Sequence, residues 1–116
     1  PGLRLEITDS NNNLRRKMND YTALINSSPL VMVEFYATWC GHCQRMMPVI
    51  AQIRELVGDN AKIYQLDIDE NSETAEQVGV TGTPTFIIYR DGQPVWQFSG
   101  ELDGNVLLQK LQSFMG

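Results

Sequence analysis

The stretch "VEFYATWCGHC" spans residues 33–43, and its last five residues hold both cysteines of the chain, its only histidine and one of its two tryptophans. Its first residues continue the apolar, β-rich run "LVMVEFY" at 30–36, which predicts a central strand buried on both faces. Beyond the cysteines the spacing turns helical, with Met46, Val49, Ile50, Ile53 and Val57 on one face and Gly58 as a stop. Cys40 and Cys43 therefore stand where a strand gives way to a helix. Unpaired N–H groups and the macrodipole at a helix start favour an anion, and a thiol pKa there falls to about 3.5–7.5. Cys40 is the candidate nucleophile. Cys43 lies one turn on, where β-carbons at this spacing are about 5–6 Å apart. A disulfide needs about 3.5–4.5 Å, and a first cysteine that is not fully helical supplies the difference. The pair can open and close with small movements: Cys40 attacks a substrate disulfide and Cys43 resolves the mixed disulfide.

Two blander uses of the cysteines fit less well. Cys40, His42 and Cys43 offer at most three of the four ligands of a structural zinc site, and adjacent His42 and Cys43 reach one ion with difficulty. A structural disulfide would close a very short loop, and its entropic gain grows with loop size. No metal and no cofactor are expected.

Outward from the motif, "LRLEIT" at 3–8 alternates and predicts a strand, and "TDSNNN" predicts a helix start with Asp9 or Ser10 as cap. Leu14, Met18, Tyr21 and Leu24/Ile25 recur at helical spacing until "NSSP" ends the run. "AKIYQLDID" at 61–69 is a second strand beyond the motif, followed by a short helix near Ser72–Val78 with Gly79 as its stop. "PTFIIY" and "QPVWQF" flank Asp91-Gly92, a strong hairpin turn. Asp103 can cap a last helix with Val106, Leu107, Leu111 and Phe114 inward. The order β-α-β-α-β-α-β-β-α predicts an α/β fold: a central mixed sheet with helices on both faces. The chain has 116 residues, expected as a single domain over 1–116, and its hydrophobic content of 42% suffices for one core.

The formal charge of −5 argues against a nucleic-acid partner, which wants a basic surface. No apolar run approaches the ~20 residues of a membrane helix. No secretory leader stands at the start, but the chain begins at Pro1 rather than Met, so residues upstream are expected to be missing. Two cysteines three apart leave both a cytoplasmic and an extracytoplasmic setting open.

"VEFYATWCGHC", "GVTGTPTFIIYRDGQPV" and "SGEL", in this order, resemble the landmarks of the thioredoxin superfamily, and the WCGHC wording is especially like the catalytic domains of protein disulfide isomerases. The resemblance covers essentially the whole chain and implies the thioredoxin fold. It implies a cis bond at Thr83-Pro84, beside the cysteines, where the preceding backbone pairs with an extended substrate strand. It implies that Glu34 is a buried acid exchanging a proton with Cys43, with Gln65 where thioredoxins commonly carry a lysine. Trp39, Gly41, Gly82 and Gly100 match positions of the contact surface. A monomer is expected, with disulfide-containing proteins as substrates and a thioredoxin reductase or another thiol compound as electron donor.

Typical thioredoxins carry proline where this chain has His42. An imidazole beside Cys40 stabilises the thiolate, which exists only in the reduced form, and so makes the protein a stronger oxidant. That moves the potential from thioredoxin's ~−270 mV toward the isomerase's ~−180 mV. Three readings follow: a general thiol–disulfide oxidoreductase, an extracytoplasmic oxidase or isomerase, and a docking module without turnover. Intact Cys40, Cys43, Glu34 and Pro84 argue against the last.

Overall fold

The computed structural model describes residues 2–116, with side chains from residue 12 onward. In chain order the elements are α1 (Gly2–Ile25), β1 (Leu30–Tyr36), α2 (Gly41–Val57), a 3-10 turn (Gly58–Asn60), β2 (Lys62–Asp67), α3 (Ser72–Gln77), β3 (Thr85–Arg90), β4 (Gln93–Ser99) and α4 (Gly104–Gln112). The sheet runs β2-β1-β3-β4, with β1 parallel to β2 and antiparallel to β3, and β3 antiparallel to β4.

Period-two alternation along β1 feeds two cores. Leu30 and Met32 join Met46, Ile50, Phe86 and Leu107 on the face that α2 and α4 cover. Val31, Val33 and Phe35 join Tyr21, Ile25 and Ala75 on the face that α1 and α3 cover. Six of the seven β1 residues are buried. At about 1.5–3 kcal/mol for each large apolar side chain, this strand anchors the molecule. The helices thus lie on both faces of a mixed sheet, as the sequence predicts.

The strand expected at 3–8 is a correction. Those residues fall within the span of α1, their side chains outside the described residues, and among the described residues the sheet has four strands. The cap expected at Asp9 or Ser10 falls inside the same helix. The physical reason is that Leu, Arg and Glu are strong helix formers, so six alternating residues make a weak strand signal.

A second correction concerns α4. Asp103 does cap it, its Oδ1 accepting from Asn105 N at 2.8 Å, and Leu107 and Leu111 are buried. Val106, however, points to solvent, because it lies about 100° around the helix from Leu107. The hairpin turn is as expected: Asp91 and Gly92 both have positive φ, 51° and 80°, which matches the twist of the flanking strands. A side chain at Gly92 would run into the Asn26 carboxamide. Among the described residues no helix is long and apolar enough to cross a membrane.

Candidate active site

Cys40 ends the loop after β1 with extended backbone, φ −91° and ψ 116°, and is the N-cap of α2. Its Sγ accepts from the backbone N–H of Cys43 at 3.4 Å, the place a Ser or Asp oxygen takes at an ordinary helix start. Both cysteines are free thiols and both are buried. The Cys40 thiol donates to the Thr83 carbonyl at 3.5 Å. Thr83-Pro84 is cis. The Pro84 carbonyl in turn accepts from Gly100 N at 2.8 Å, and Gly100 has φ 115°, which favours glycine. Three separate stretches, 39–43, 82–84 and 99–101, are thereby joined around one sulfur.

The two thiols are driven apart electrostatically. Burial pushes the Cys40 thiol up, but hydrogen bonds from the Thr83 side chain, from Cys43 and from the Cys43 and His42 N–H groups together outweigh it and bring the pKa down to about 7. For Cys43 burial wins: its pKa is raised, with the neighbouring Cys40 adding to the effect and a bond to the Ala37 backbone opposing it. One sulfur is thus a thiolate near neutrality and the other keeps its proton.

Glu34 is almost fully buried, at 1% exposure, on the sheet face covered by α2. This excludes an outward-facing glutamate. Gln65, its register partner on β2, donates from Nε2 to Glu34 Oε1 at 2.9 Å. Arg54 of α2 donates to Gln65 Oε1 at 3.3 Å and to the Ile63 carbonyl at 3.2 Å. Burial raises the Glu34 pKa, and the Gln65 amide and Arg54 charge hold it back. Gln65 stands beside the acid as expected; Arg54 carried no advance signal, because a lone arginine in a helix reads as a solvated side chain.

Trp39 is 68% exposed and donates from Nε1 to Asp69 Oδ2 at 3.0 Å, which fixes an apolar plate beside Cys40. Gly41 opens α2, where an added Cβ would meet only Arg45, and Gly82 has open space around it. His42 lies differently from expectation. Its ring engages the rim instead of the sulfur: Nδ1 is 2.8 Å from Glu101 Oε1 and 2.8 Å from Arg45 Nη2. Arg45 Nε also donates to Glu101 Oε1 at 3.0 Å. Only the His42 backbone N–H serves the Cys40 thiolate. Glu101, 59 residues away in sequence, is, like Arg54, a residue of the site that sequence reading misses.

The thioredoxin family model matches residues 13–113. Among curated relatives, thioredoxin Y, chloroplastic, from Oryza sativa is 38% identical over 90 residues, covering 78% of this chain and 54% of its own. The chain thus spans about half the length of such chloroplastic relatives. Thioredoxin of Mycobacterium bovis is 36% identical over 108 residues, covering 90% of this chain and 93% of its own. Among solved structures, a mutant thioredoxin from Halobacterium salinarum superposes with a TM-score of 0.78 at 31% identity, covering 84% of this chain and 85% of its own.

Proposed function

The chain belongs to the thioredoxin family, and from that premise we propose that it reduces protein disulfides through Cys40 and Cys43. The observation that carries the reading is the split pair: a Cys40 thiol brought to about 7 at the start of α2, and a buried Cys43 whose N–H points at it from 3.4 Å.

The Cys40 thiolate attacks one sulfur of a substrate disulfide, and the other substrate sulfur leaves as a thiolate that takes up a proton. The Cys43 proton passes to the Glu34 carboxylate. The Cys43 thiolate then attacks Cys40 Sγ and displaces the second substrate sulfur. Two electrons have moved to the substrate, and the chain holds a Cys40–Cys43 disulfide. A thioredoxin reductase or another dithiol donor restores it. Trp39 and the backbone at Gly82, Thr83 and Gly100 seat the substrate segment around Cys40. The direction is reductive, in keeping with relatives named thioredoxin.

The test is turbidimetric insulin reduction with dithiothreitol as donor. Wild type accelerates it, Cys40→Ser abolishes the acceleration, and Cys43→Ser accumulates a mixed disulfide at Cys40. Iodoacetamide should label Cys40 before Cys43, with half-maximal rate near pH 7. Labelling at Cys43 first would reverse the roles. A glutathione-equilibrium potential near the isomerase's ~−180 mV would move the reading to a disulfide oxidase or isomerase.

A further inference from the structure

The CGHC wording and the reductive relatives pull in opposite directions, and the loop after β4 reconciles them. In the CGHC arrangement the histidine makes the dithiol oxidising by lending positive charge to the thiolate. Here the His42 ring is engaged elsewhere. Its Nδ1 faces the Glu101 carboxylate at 2.8 Å, and the same oxygen holds Arg45 Nε at 3.0 Å. One carboxylate therefore restrains the ring and offsets the charge of Arg45, one turn further along α2. The groups facing His42 come from two places: Arg45 on its own helix and Glu101 on the loop that also carries Gly100. Nδ1 cannot donate to Glu101 and accept from Arg45 Nη2 at once, so the ring keeps contact with this pair whichever way its proton lies.

We propose that Glu101 is a positioning residue that holds His42 on the rim, away from Cys40, and thereby keeps a CGHC dithiol poised as a reductant. The proposal rests on the dithiol exchange described above. Two independent consequences of removing the carboxylate share one sign. The ring is freed to turn toward the thiolate, and the carboxylate that offsets the Arg45 charge at the start of α2 disappears. Both stabilise the reduced form. The hydrogen bonds from His42 and then Arg45 hold the Glu101 carboxyl below its usual range, so it is ionised at neutral pH and the charge is there to be removed.

The experiment is a double-mutant cycle on the intact chain, reading the ratio of oxidised to reduced protein in one glutathione buffer at pH 7. Glu101→Ala and Glu101→Gln should each lower that ratio about three- to tenfold, a rise of roughly 15–30 mV at about 30 mV per decade. The Cys40 thiolate absorbance should move to lower pH in the same variants. In a His42→Pro background the Glu101 substitutions should change the ratio by about twofold or less, since only the charge effect survives there. No shift in the single variants overturns the proposal. So does an equal shift with and without His42, because the carboxylate then acts by charge alone and not through the ring. Absence of any measurable Cys40–Cys43 couple in wild type would instead overturn the oxidoreductase reading on which it rests.

Discussion

Glu34 is held between two opposing influences, and their balance is measurable. Burial lifts its pKa, while Gln65 and Arg54 pull it back. A carboxyl whose folded pKa lies above the unfolded ~4.3 binds its proton more tightly when folded. Its contribution to stability is present at low pH and is lost as pH rises through the folded value. Above that folded value the ionised, buried group costs the fold. Glu34→Gln should therefore be more stable than wild type at pH 8, by about 1–3 kcal/mol, the range for a poorly compensated buried group. The gain should shrink toward pH 4, where both side chains are neutral. Urea unfolding at the two pH values checks this, and a variant less stable at pH 8 would mean that Arg54 and Gln65 compensate the charge in full. The acid itself was legible because a carboxylate in "LVMVEFY" has no reason to be there for packing. Gln65 was legible through the resemblance. Arg54 and Glu101 were not, because each reaches the site by a long side chain or a loop, and neither leaves a periodic trace in sequence.

At the level of elements, helix α4 is locked against α2 by the absence of a side chain. A Cβ built on Gly104 would lie 2.7 Å from Val49 Cγ1, closer than packed carbons approach. Alanine favours a helix over glycine by up to ~1 kcal/mol, but overpacking costs about 1–3 kcal/mol. Gly104→Ala should thus destabilise the chain by a net ~1–2 kcal/mol instead of stabilising it. Adding Val49→Ala should recover part of the loss, and a coupling of at least about 0.5 kcal/mol in chemical denaturation would show that the two groups collide. Independent losses would mean that α4 shifts to make room. Elements with a strong local signal were readable in advance: β1 by its apolar run, α2 by its stripe and Gly58, the hairpin by Asp91-Gly92. The stretch at 3–8 had alternation alone, without a turn signal or a partner strand to enforce it. Val106 adjoins the buried stripe in sequence and so reads as part of it, while the helix turns its side chain to solvent.

Seen across the whole molecule, the cysteine environment ties folding to redox state. The Cys40 pKa is depressed to about 7 in the fold, against ~8.5 for a free thiol. A depressed group contributes stability that is fully present above the unfolded value and is lost as pH falls through the folded one. The reduced protein should therefore gain stability over Cys40→Ser between about pH 7 and pH 8.5 and show no such gain below that window. Cys43, raised by burial, opposes the trend only at higher pH, where its unfolded counterpart ionises first. The oxidised form carries neither thiol proton, so the same linkage must appear in the potential. Below about pH 7 reduction takes up two protons with two electrons, and above it only one. The potential should fall by about 59 mV per pH unit on the acidic side and about 30 mV on the basic side, at about 30 mV per decade for a two-electron couple. Glutathione equilibria from pH 5.5 to 8.5 measure that slope directly. Glu34→Gln should leave the break near pH 7 in place, since the bonds that lower the Cys40 pKa come from Thr83, Cys43 and His42. A slope unbroken across the range would mean that Cys40 titrates as an ordinary thiol. The split between the two sulfurs, on which the attacking and resolving roles depend, would then be lost.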